Sequence, residues 1–390
     1  MKVQVLPKGS ANTKLRIAIV TSIHPDFDFR VWKYATSLTR AGQEIHLICP
    51  WNLEEGSLIE GVKMLTFSRV ENRFLRIFLV PYRVLKTLLP IIRQVDIIHF
   101  HDIDLLPLMA IVSLVKPVVY DVHENYADEM LVRNWIPRFL RWPLYWYVRF
   151  IQIIFPLILR NIVLVVPYQD HEFNNNRLNK IQIMNFASLR LLEDFKDNYM
   201  KRDSQILFSG SHYEENGSML LLDITEEMKR RCVKAQVVAT DRFSSRRYRE
   251  QFEAEIKRRD LTNIRIVHCV PSDRIMSILN EATVAVLTDL RVPKAIKGIP
   301  TRLFEYMAAG LPVVASDLEI LVDIISDKQC GLLARPEDPG MFVDAIEKLV
   351  NEKDFAYSLG LNGQNAFRRN FSWESQIPDL LKFYAGIITQ

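Results

Sequence analysis

Short, continuous apolar runs alternate along this chain with longer helix-like segments, the pattern left when parallel strands are covered by helices on both faces. In the first half the predicted strands are RIAIVTS (16–22), EIHLICP (44–50), VKMLTFS (62–68), DIIHFH (96–101), PVVYDVH (117–123) and IVLVVP (162–167). Around 190–204 the chain turns polar and charged (LLEDFKDNYMKRDSQ), and alternation then restarts with QILFSGS. Further strands are predicted at AQVVAT (235–240), IRIVHCV (264–270), TVAVLTD (283–289), PVVASD (312–317) and GLLARP (331–336). This predicts two α/β domains, each a doubly wound parallel sheet. The expected boundaries are a tail at 1–14, an N-terminal domain at 15–195, a C-terminal domain at 200–370, and a helix at 371–390 packing back toward the first domain.

A length of 390 residues suits two domains better than one core. The net charge of +4 is small for that length and argues against a nucleic-acid-binding surface. Cys49, Cys232, Cys269 and Cys330 are far apart, with no metal-ligand spacing, and read as reduced structural residues. The N-terminus lacks a signal-like apolar region. The uncharged stretches 105–115 and 150–159 are shorter than a spanning helix needs, so no transmembrane helix and a cytoplasmic location are expected.

The segment KGIPTRLFEYMAAGLPVVASD (297–317) predicts a short helix from about Pro300 to Ala309, stopped at Gly310, and then a buried strand. At the carboxyl edge of a parallel sheet, the start of such a helix favours phosphate. Arg302 would add a guanidinium there, and Glu305 could accept hydrogen bonds from the adjacent hydroxyls of a ribose. The competing reading is a surface helix on which Arg302 and Glu305 pair in solvent. The loop GSHYEENG (210–217) offers a second phosphate turn through Gly210 and Ser211, although turn glycines alone are a weak signal.

Three loops of the first half, HPDFDFR, HDIDLLP and DVHENYADE, leave one carboxyl edge. They bring His24, Asp28, Arg30, His101, Asp102, His123 and Glu124 toward one place. Asp102 and Asp104 also spell D-x-D, a metal-binding pattern of a different fold, which the two-domain alternation disfavours.

These motifs resemble the glycosyltransferases of family 4, retaining enzymes of GT-B architecture with two Rossmann-like domains facing across a cleft. The HFHD and YDVHE loops are similar to one subgroup of that family. The resemblance implies a donor site at Gly210, Ser211, Lys297, Gly298, Thr301, Arg302, Leu303 and Glu305, with Glu305 on the nucleotide ribose. It implies His123 beside the transferred sugar, and His24, Asp28, Arg30, His101, Asp102 and Glu124 on the acceptor side. The family carries a first glutamate eight residues before the second; Lys297 stands in its place. That lysine meets a phosphate or acidic sugar, or is a solvent-exposed loop residue. The basic residues that many members place after the glycine turn are replaced by His212, Glu214 and Glu215. The implied reaction needs a nucleotide-diphosphate-sugar as co-substrate, no further cofactor, no metal, and a glycan or lipid-linked acceptor in cell-surface polysaccharide or lipopolysaccharide synthesis. The alternatives are another GT-B enzyme, such as a nucleotide-sugar epimerase or hydrolase, and a catalytically degenerate partner subunit.

From Met130 through Gln169 there is no acidic residue, while arginines punctuate an aromatic, apolar sequence. The stretch RFLRIFLVPYRVLKTLLPIIR is similar. Together they predict a peripheral face for an anionic membrane surface. The other reading is that these are core helices covering the sheet, against which Pro137, Pro143 and Pro156 break any simple amphipathic pattern.

Overall fold

The computed structural model describes residues 14–23, 29–51, 57–122, 126–132, 136–268, 274–292, 295–296 and 298–389. Two compact units are formed, one from residues up to Asn185 together with Gln376–Gln390, the other from Phe186–Ser375. The division therefore falls before the polar stretch at 190–204. Phe186, Ala187 and Leu191 are already buried in the second unit, and Phe186 packs edge-on against Phe304 there.

The first unit holds β1 (Arg16–Val20), α1 (Phe29–Arg40), β2 (Glu44–Pro50), β3 (Leu58–Ile59), β4 (Val62–Phe67), α2 (Arg73–Leu88) and β5 (Ile97–Phe100). It continues with α3 (Leu106–Val112), β6 (Val118–Val122), α4 (Tyr126–Val132), α5 (Arg138–Leu159), β7 (Asn161–Leu164) and β8 (Asn179–Gln182), and includes the C-terminal helix Ile377–Ile388. The sheet order is β3-β4-β2-β1-β5-β6-β7-β8, parallel except for the β3-β4 pair. The chain changes direction between β1 and β5, so the loops after these two strands open side by side.

Pleating divides each strand between two faces. Ile98 and Phe100 of β5, with Val118, Tyr120 and Val122 of β6, join a core built with α2, α3 and the end of α5. The intervening His99 and Asp121 belong to the opposite face, where α1 and the C-terminal helix lie against them. α5 is one helix of 22 residues with Pro143 and Pro156 inside it. This corrects the expectation that no element is long and apolar enough to span a membrane. Arg149 bounds the uncharged stretch 150–159, but the helix runs through it and through Arg141 without a break.

The second unit runs β9 (Gln205–Phe208), α6 (Ser218–Arg230), β10 (Gln236–Thr240), α7 (Arg246–Arg258), β11 (Ile264–Val267), β12 (Val284–Leu287), α8 (Arg302–Ala308) and β13 (Val313–Ser316). It ends with α9 (Glu319–Lys328), β14 (Gly331–Ala334), α10 (Pro339–Asn351) and α11 (Lys353–Ala366). Its sheet is parallel, in the order β11-β10-β9-β12-β13-β14. Here the direction changes between β9 and β12, and the loops leaving those strands carry Gly210 and the approach to α8.

Candidate functional site

In the second unit the two switch-point loops are stitched together. Thr288 donates to the Asn216 carbonyl at 2.8 Å, and the Leu290 amide donates to the Glu215 carbonyl at 2.9 Å. Gly217, at φ 68°, is where they approach most closely: a Cβ added there would lie 1.8 Å from the Thr288 carbonyl oxygen. No other residue fits that backbone and that space. Gly210 has φ 117°, and its amide and carbonyl are both held by the Thr240 hydroxyl at 3.1 and 3.0 Å. Ser209 is tied to the Tyr306 hydroxyl of α8 through its amide at 2.9 Å.

α8 begins at Arg302 and ends before Gly310, whose φ of 64° supplies the left-handed stop. Thr301 is exposed at its start, and Gly298 and Glu305 are half-buried. Lys297 lies outside the described residues.

Two donor-side expectations need correction. Arg302 does not present its guanidinium to solvent: it is 6% exposed, pairs with Asp289 at 2.8 Å, and lies 4.8 Å over the Phe208 ring. Burial works against its charge, but the Asp289 carboxylate, with Tyr306 and Glu305, outweighs that and holds its pKa above the ordinary value. The charge is thus spent inside the scaffold, with Gly210 against the arginine stem. Leu303 is fully buried and its amide is bonded to the Pro300 carbonyl at 3.0 Å, so neither its side chain nor its N–H is offered to a ligand.

His212 is also scaffold. It is fully buried, stacks on Phe243 at 4.4 Å, and its Nε2 donates to the Thr240 carbonyl at 2.7 Å. Burial pushes its pKa down to about 4. The folded state therefore stays neutral where the unfolded chain takes up a proton, near pH 6.5. Its contribution to stability is complete above that pH and is lost as pH falls toward 4, by about 3 kcal/mol in all. Urea unfolding at pH 7 and pH 4.5 should show this drop, and His212→Gln should flatten it.

In the first unit, His24, Asp28, His123 and Glu124 lie outside the described residues. Arg30, His101 and Asp102 are described, and all three are buried rather than presented to an acceptor. Arg30 forms a paired contact with both Asp121 oxygens, at 3.0 and 3.2 Å, and also donates to Tyr34 and to the Ile183 carbonyl. His99 Nε2 and His101 Nδ1 lie 3.5 and 3.6 Å from the same carboxylate. The Tyr384 hydroxyl of the C-terminal helix closes the group on His99 Nδ1. His99, His101 and Asp121 offer three ligand atoms within 4.8 Å of one another, spacing that could suit a metal ion. The Arg30 guanidinium already compensates that carboxylate, so the donor set is organised as an ion pair.

Asp102 accepts from the Thr21 hydroxyl at 2.7 Å and the Ser22 amide at 2.6 Å, and Asp104 accepts from the Ser22 hydroxyl at 2.6 Å. The D-x-D pair thereby pins the start of the loop after β1. Burial first, and the Asp102 charge second, push Asp104 up to about 6. Asp121, Tyr384 and Asp289 were not predicted site residues. The readable signal for Asp121 was a carboxylate in an otherwise apolar strand, since a buried charge demands a partner.

Residues 192–366 match the family model described as Glycosyl transferases group 1, and residues 29–161 match that described as Glycosyltransferase Family 4. An uncharacterized glycosyltransferase of Methanocaldococcus jannaschii is 24% identical over 225 residues, covering 57% of this chain and 58% of that relative's length. Among solved structures, sucrose-phosphate synthase from Thermosynechococcus elongatus superposes with a TM-score of 0.71 at 14% identity, over 96% of this chain and 100% of that one. HepE from Anabaena, in complex with UDP and glucose, superposes at 0.68 and 13% identity, over 94% of this chain and 99% of that one. These neighbours share the GT-B fold with its two parallel-sheet domains.

Proposed function

We propose that this chain, whose two halves match the two glycosyltransferase family models, is a family 4-type glycosyltransferase that moves a sugar from a nucleotide-diphosphate-sugar to a glycan or lipid-linked acceptor with retention of configuration. The observation that carries the reading is the stitched switch point of the second unit. It sets a glycine turn at positive φ beside the start of a helix whose first turn holds a half-buried carboxylate, Glu305. In the proposed complex the Gly210–Ser211 turn and the approach to Thr301 meet the diphosphate, and Glu305 accepts from the ribose hydroxyls. Arg302 and Asp289 shape that turn from beneath. Departure of the diphosphate leaves positive charge on the sugar, and the donor phosphate takes the acceptor proton on the same face.

A thermal-shift screen of nucleoside diphosphates, followed by transfer assays with the matching nucleotide sugar, tests this. One diphosphate should raise the melting temperature, and Glu305→Ala should weaken its binding by roughly tenfold to a hundredfold, the worth of a hydrogen bond to a charged group. A shift that survives Glu305→Ala would remove the ribose contact. Binding without turnover on any acceptor would point to the degenerate subunit.

A further inference from the structure

Helices α2, α3 and α5 send side chains into one shared core, so they lie on the same face of the first sheet. Their outer surfaces should then be polar, as on most helices that cover a sheet. They are not. On α2, Phe78 is 77% and Tyr82 64% exposed, and Leu114, just beyond α3, is 80% exposed. Along α5, Trp142, Trp146 and Phe150 recur at helical spacing, each about six-tenths exposed. None of the three helices contains an aspartate or glutamate. Lys86, Arg93 and Arg138 on or beside them are exposed and, among the described residues, have no ion-pair partner. Apolar patches of this extent mark an interaction surface.

We propose that this face docks flat on an anionic phospholipid bilayer. Tryptophan and tyrosine mixed with unpaired cations and no anions is the composition that sits among acidic headgroups. A second copy of the chain would instead bring two surfaces of the same charge together. α5 is long enough to cross a membrane, and only 17% of its apolar window is buried. Its inner side is nevertheless committed to the unit: Gln152 is buried and accepts from the Ala127 amide at 3.2 Å, and Leu159 enters the core. A spanning orientation would strip away those contacts, whereas an in-plane one keeps them and inserts the aromatic stripe. This surface does not depend on the sugar-transfer reading, so failure of one leaves the other standing.

The test is flotation of the full chain with phosphatidylcholine vesicles, with and without phosphatidylglycerol. The wild type should float with the anionic vesicles, less so as salt is raised, and its tryptophan emission should shift to the blue and be quenched by brominated acyl chains. Lys86→Gln/Arg93→Gln/Arg138→Gln should weaken partitioning roughly a hundredfold. Trp142→Glu/Trp146→Glu/Phe150→Glu should abolish it and the emission shift; circular dichroism checks the fold of both variants. Equal flotation of wild type and charge variant, equal binding to neutral vesicles, resistance to alkaline extraction, or self-association without flotation would each overturn the proposal.

Discussion

Arg302→Ala is expected to destabilise the second unit by about 3–5 kcal/mol, the cost of leaving a buried charge without its partner. Asp289 is as deeply buried as the arginine, at 6% exposure, and would lose the one ion pair it makes among the described residues. The Phe208 face and the Ser209 carbonyl would lose their cation as well. Because the cost comes from the stranded carboxylate, removing both charges should undo most of it. Arg302→Met combined with Asp289→Leu should therefore melt close to wild type. It should also keep most of the nucleoside diphosphate shift, since a compensated pair offers little net charge to a phosphate. Chemical denaturation of the three proteins, repeated with the diphosphate, decides the matter. A double variant that regains stability but binds no nucleotide would return Arg302 to the ligand.

The same residue marks the limit of what could be read from the chain. Strand positions were legible because a doubly wound sheet buries both faces of each strand, leaving unbroken apolar runs such as EIHLICP, which forms a strand over Glu44–Pro50. Gly310 was legible as a helix stop because few other residues adopt a left-handed backbone cheaply. Residue type also located the loops at each switch point. It did not say which way a charged side chain turns. Arg302, Arg30 and His212 all lie at the carboxyl edges where ligands bind, and all three turn inward to partners distant in sequence. Leu303 fell in the motif but belongs to the core. The length of α5 was not legible because the uncharged stretch 150–159 stops at Arg149, whereas the helix continues past its arginines and two prolines back to Arg138.

Arg30→Ala should be equally costly in the first unit, by about 3–5 kcal/mol at pH 8, and its pH dependence should reverse. In the wild type, burial holds His99 below its ordinary pKa, with the Asp121 charge acting the other way. Its contribution is therefore present above about pH 6.5 and declines on acidification. Without the guanidinium, the Asp121 carboxylate still faces His99 and His101 at 3.5 and 3.6 Å. One imidazole then gains by taking a proton and becoming the missing cation. Its folded pKa rises above the unfolded value, so its contribution is complete below about pH 6.5 and vanishes as pH climbs through the raised pKa. The variant should accordingly recover more stability between pH 8 and pH 6 than the wild type, which shares with it only the small rise from Asp104 taking up a proton near pH 6. The Tyr384 hydroxyl on His99 Nδ1 suits a proton on Nε2 facing Asp121, so Tyr384→Phe in the Arg30→Ala background should blunt the recovery. Unfolding curves of the three proteins across this range would show it; parallel pH profiles for wild type and Arg30→Ala would mean that the histidines do not compensate the carboxylate.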